Sequence, residues 1–138
     1  MRRDDGSMSL EMVLATPLFV MFLLLLAGAG RLVDARSQVD GAARDAARAA
    51  SVARSAGGAQ SMGRAAANAN LGAKNWCSGG PGVSIGGDFR AGGEVVVTIT
   101  CDVDLGELGF VGFPGTKRIE GRAVAPVDEY TYRGGGER

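Results

Sequence analysis

Histidine is absent from the 138 residues of this chain. That removes the commonest general acid/base and the commonest metal ligand together. No Walker A sequence, no HExxH, no paired CxxC and no N-x-S/T acceptor is present. With no histidine to activate a nucleophile, an enzyme is not expected, nor a cofactor or a catalytic metal. Charge of one sign is lacking too, because 15 basic and 15 acidic residues cancel. Arg31 to Trp76 carries seven bases against three acids, and Cys77 to Arg138 carries six against nine. Neither segment has the concentrated basic face of a nucleic-acid binder, so no nucleic acid is expected. Arg44, Arg48 and Arg54 read as a solvated helix face. Asp102 and Asp104 stand at alternate outward positions of a strand, which disfavours a calcium site.

Cysteine is scarce, with only Cys77 and Cys101, both after the apolar run. If that side is extracytoplasmic, a single Cys77–Cys101 disulfide is the natural reading; two buried thiols are the alternative. The globular part is about half the chain, a size at which a staple matters.

The one long hydrophobic run dominates what is present. Gly6-Ser7-Met8-Ser9-Leu10-Glu11 leads into MVLATPLFVMFLLLLAGAG, and residues 12 to 30 carry no charge. Nineteen residues at helical rise span about 28 Å, close to the hydrocarbon thickness of a bilayer. Pro17 inside the run removes one backbone donor, which membrane helices tolerate. Glu11 is a carboxylate at the lip of this run; such a charge is costly and calls for a partner. Counted by Lys and Arg, the run has two before it and four within about twenty residues after it. That count by itself places the head in the cytoplasm. The two cysteines place it outside, and orientation is taken from them.

Beyond Gly30, alanine dominates as far as Ala56, and Val39, Ala43, Ala46, Ala50 and Ala53 mark one small-residue face. The spacing predicts one helix from about Ser7 to Ala56, a break at Gly57-Gly58, and a second helix from Ala59 to Leu71 ended by Gly72 at C′. From Glu94 to Leu105 the odd positions are all apolar and the even ones polar apart from Val96, the signature of a half-buried strand. Val83, Ile85 and Phe89 keep that parity before a Gly92-Gly93 turn. Ile119, Ala123 and Ala125 keep it afterwards, with Arg118, Glu120 and Arg122 outward. The expected fold is α+β: a long membrane-spanning helix with an Ala-rich extension, a short second helix, and a three-stranded antiparallel sheet packed on the helix. The organisation follows as leader 1–6, transmembrane helix 7–30, helical stem 31–72, and a disulfide-linked β domain with a flexible tail at 73–138. The loop Leu108-Gly109-Phe110-Val111-Gly112-Phe113-Pro114 presents aromatics either to a neighbouring subunit or to a satellite core.

The Gly-x-x-x-x-Glu pattern against a lone apolar run resembles the N-terminus of a type IV prepilin. With the Ala/Arg-rich stem, the two-cysteine sheet and the ending Phe113-Pro114-Gly115 through Ala125-Pro126-Val127-Asp128-Glu129-Tyr130, the chain looks like the TadE-like family. These are minor pilins or pseudopilins of the tight-adherence (Flp) pilus. The resemblance implies cleavage between Gly6 and Ser7 by a prepilin peptidase. It also implies pairing of Glu11 with a neighbour's N-terminal amine. Its partners would be membrane lipid, other pilins or pseudopilins, and the pilus assembly platform. Two rival readings remain. Ala27-Gly28-Ala29 fits an ordinary signal peptidase site, which would give a secreted protein beginning at Gly30. An unprocessed single-span protein would begin at Met1, and the pilin reading gives Ser7.

Overall fold

A computed structural model describes residues 5–106, 112 and 115–130. Helix α1 runs Asp5–Ser51 and α2 runs Ala56–Leu71. Three strands follow, β1 (Cys77–Gly87), β2 (Glu94–Asp104) and β3 (Thr116–Pro126). They form one antiparallel meander in the order β1-β2-β3. This is the expected α+β architecture. At 1.5 Å per residue, the 47 residues of α1 extend about 70 Å.

The second half of α1 is the lid of the sheet. Val39, Ala43, Ala46, Ala50 and Ala53 are all buried, as their spacing predicts. So are Ala35, Ala42 and Ala47, which widens the stripe because α1 packs on β2 and β3 along one side and on α2 along another. Alanine on both sides lets the backbones approach closely. On α2 the matching face is Ala59, Gly63, Ala67 and Leu71, at four-residue spacing. The sheet contributes Val95, Val97, Ile99, Cys101 and Val103 from β2, with Ile119 and Ala123 from β3. Burial in β2 alternates along its whole length, so the period-two pattern correctly set which face turns inward. Val83, Ile85, Phe89 and Ala125 are half-buried at the margin of this core.

The expected break at Gly57-Gly58 lies earlier, at residues 52–55. Ser51 ends α1, its hydroxyl donating to the Arg48 carbonyl at 2.9 Å. Ser55 is extended and caps α2, its hydroxyl accepting from the Gly58 N–H at 3.0 Å. A serine cap satisfies a free first-turn donor and fixes where the helix starts. Gly57 and Gly58 therefore sit inside the first turn. At the other end Gly72 is right-handed, with φ −63°, and its N–H bonds the Asn68 carbonyl at 2.8 Å. It closes α2 without the left-handed conformation expected of it.

The Gly92-Gly93 turn is part of a longer loop over residues 88–93, in which Gly92 has φ +77° and the Gly93 N–H bonds the Arg90 carbonyl. A bulge interrupts β1 between Ser78 and Gly82, formed by Gly79 and Gly80 at φ +76° and +80°. Positive φ at two successive positions is a glycine conformation. After β3, Val127 N–H bonds the Gly93 carbonyl and Asp128 N–H reaches the Ser51 carbonyl. The chain thus ties the β1–β2 loop to the end of α1. The opposite end of the sheet, where β2 leaves and β3 enters, lies beside the start of the stem.

Candidate functional site: the exposed first half of α1

Gly6 and Ser7 fall in the first turn of α1, with Glu11 one turn further along. Residues 1–4 lie outside the described residues. Glu11 is exposed, and among the described residues nothing pairs with it. The side chains that follow are exposed as well, including Met12, Val13, Leu14, Leu18, Phe19 and Phe22. In the most apolar window only 6% is buried against the chain's own atoms. An apolar surface of this length has to be covered by lipid or by other helices. This helix is long and apolar enough to cross a membrane.

Proline 17 leaves the Val13 carbonyl without its helical donor. One residue earlier, the Thr16 hydroxyl donates to the Met12 carbonyl at 2.7 Å. Such back-bonding keeps a hydroxyl satisfied where water is absent. Helix α1 continues through Pro17 without a break.

Cys77 and Cys101 are brought together in a disulfide, with Cα atoms 5.4 Å apart. Both are buried. Cys77 already pairs with Val103 as the first residue of β1, so the bond staples β1 to β2 across the bulge.

On the exposed strand face both candidate aspartates have protein partners. Asp102 accepts two bonds from Arg118, at 2.8 and 3.0 Å, across the β2–β3 register. That bond holds the Asp102 carboxyl below its ordinary range, and in return raises the Arg118 guanidinium. Asp104 accepts from the Gly106 N–H. Among the described residues no group of three or more acidic, histidine or cysteine side chains gathers to hold a metal. Arg44, Arg48 and Arg54 are exposed along the stem and its turn. The Leu108–Pro114 loop lies outside the described residues except for Gly112. Its roots, joined by the Leu105 N–H and the Gly115 carbonyl, are at the stem's membrane end.

Residues 6–48 match the family model described as TadE-like protein. The match covers the Gly6–Glu11 motif, the apolar run and most of the Ala-rich stem. No curated protein matches the chain, and no solved structure does. The N-terminal third is therefore similar to TadE-like proteins, and it holds the one described helix that is long and apolar enough to cross a membrane.

Proposed function

We propose that this chain is a minor pilin or pseudopilin of a tight-adherence pilus. It would act without catalysis, through helix–helix and head contacts with other pilins. The observation that carries this is Glu11, a carboxylate with no ion-pair partner among the described residues, at the edge of an apolar run that is almost wholly exposed. A single charge left there costs several kcal/mol. Hydrolysis of the Gly6–Ser7 peptide by a prepilin peptidase would remove Arg2, Arg3, Asp4 and Asp5 and create a new amine at Ser7. Two such chains, staggered along a common axis, would then neutralise amine against carboxylate inside lipid. Helix ends fray, so a scissile bond in the first turn of α1 is open to a protease.

In this reading the head lies outside the cytoplasm. A buried disulfide belongs to an oxidising compartment. The arginines that weigh against this orientation, Arg44 and Arg48 among them, lie on a folded stem packed on the sheet. The charge rule applies to short loops, and folded domains translocate largely regardless of it.

The experiment is mass spectrometry of the N-terminus in protein from its native membrane. A chain beginning at Ser7 supports the proposal. One beginning at Met1 or Gly30 overturns it.

A further inference from the structure

The base of the head carries a groove of about 370 Å³ between the start of the stem and the start of β3. Leu32, Val33 and Arg36 line one side, and Lys117, Arg118 and Glu120 line the other. Its height follows from the helix. Leu32 lies two residues beyond the last uncharged residue, Gly30, which is about 3 Å along the axis. If residues 12–30 fill the hydrocarbon, this groove stands in the headgroup layer.

The charges in the groove are unequal. Arg118 is committed to Asp102 by two bonds. Arg36 and Lys117 are exposed, and among the described residues neither is in an ion pair. Glu120 is the one acid in the lining. Beside these cations Val33 is 69% exposed, an apolar residue facing out at the level where acyl chains begin. Cations above an exposed apolar side chain match an amphiphile with an anionic head. A free anion would use only the cations.

We propose that this groove binds the headgroup phosphate of an anionic phospholipid, with Arg36 and Lys117 as its ligands and Val33 against the lipid's first methylenes. The head is thereby held down on the bilayer. The inference rests on the membrane-spanning part of the reading above and on none of its pilus-specific part. It also assigns a role to Arg36, a basic residue on the side of the membrane where the charge rule disfavours it.

The test uses the full chain in vesicles of phosphatidylcholine mixed equally with phosphatidylglycerol. Flotation comes first. A chain that fails to float overturns the membrane-spanning reading itself. Native mass spectrometry then compares the two lipids retained per chain. The expected result is enrichment of phosphatidylglycerol, reduced about fivefold by Arg36→Gln or Lys117→Gln and kept by Lys117→Arg, in line with the usual worth of one basic residue at an anionic surface. The chain's single tryptophan, Trp76, is half-buried at the same end of the head and reports whether each variant is folded. A floating, folded chain with equal retention of both lipids, or with no loss in the double variant, overturns the groove assignment alone. Inorganic phosphate binding to the detergent-solubilised chain as tightly as phosphatidylglycerol also overturns it, because the site would then need no lipid.

Discussion

Gly121 of β3 lies directly against Val39 of α1. A Cβ built on Gly121 would stand 3.0 Å from both the carbonyl carbon and the Cγ1 of Val39, and 2.9 Å from Asp40 Oδ1. The backbone atom cannot give way as a side-chain tip can. This is where the sheet sits down on the stem, and only a hydrogen fits between them. Gly121→Ala should therefore destabilise the head by about 1–3 kcal/mol, the usual range for overpacking. Gly41, on the same helix, has nothing within 4 Å of a built Cβ. There the same substitution should stabilise, by about 0.5–1 kcal/mol, through helix propensity. Thermal unfolding of both full-length variants in detergent checks the pair. Equal and opposite signs to these would mean that the stem does not pack on β3 through Gly121.

Stapling β1 to β2 should matter more than any single packing change. The Cys77–Cys101 bond spans 24 positions in sequence, and closing a loop of that length contributes roughly 3 kcal/mol in the entropic account. Protein from the native envelope should show no alkylatable thiol before reduction and two after it. Cys77→Ser with Cys101→Ser should lower the unfolding temperature without changing membrane insertion. Two thiols that alkylate freely before reduction would remove both the bond and the argument it makes for an extracytoplasmic head.

Asp102 supplies a pH-dependent check on the β2–β3 register. The hydrogen bond from Arg118 lowers its pKa below the ordinary 3.8. A depressed folded value means stability that is present above the unfolded carboxylate pKa and is lost as pH falls through the folded one. The window is therefore below about pH 3.8. Arg118 is exposed and Asp102 only half-buried, so salt screens the effect and the stability change is small. Carboxyl NMR should find Asp102 titrating below the ordinary 3.8, and Arg118→Gln should raise it toward that value. An Asp102 that titrates at the ordinary value in the parent chain, unmoved by Arg118→Gln, would show that Asp102 and Arg118 are not paired.

Much of this fold is written in local pattern. The alternation from Val95 to Leu105 and the 3–4 spacing from Val39 to Ala53 each report one buried face, and burial is what those periods measure. Glu11 is legible for a similar reason, since a charge beside an apolar run is visible in one dimension. What the pattern hides depends on competition or on distance. The break between the helices follows Ser55, whose cap outweighs two glycines that look like a stop. Gly63 and Gly121 carry no sign of their role in the sequence, yet each marks a close approach, Gly63 to Ile85 and α1 and Gly121 to Val39, that requires knowing which element lies opposite. The groove at the base of the head joins Leu32 to Lys117, and no spacing rule connects positions so far apart.

Glu11 decides between assembly and simple anchoring. Glu11→Ala removes the carboxylate at the start of the apolar run and leaves residues 12–30 unchanged. If Glu11 only snorkels to the headgroups, the variant should insert as well as its parent or better, because a costly charge is gone. If Glu11 receives the amine of a neighbouring chain, the variant should insert and be cut after Gly6, yet fail to associate with partner pilins. Glu11→Gln keeps the shape and loses the charge, so it should fail in the same way. The loss expected is tenfold or more, since an amine left unpaired in lipid costs several kcal/mol. Co-purification of partner pilins, or pilus formation, in strains carrying each variant reads the outcome. Normal assembly with both variants would leave Glu11 with no part in filament entry and would reduce α1 to an anchor for the head.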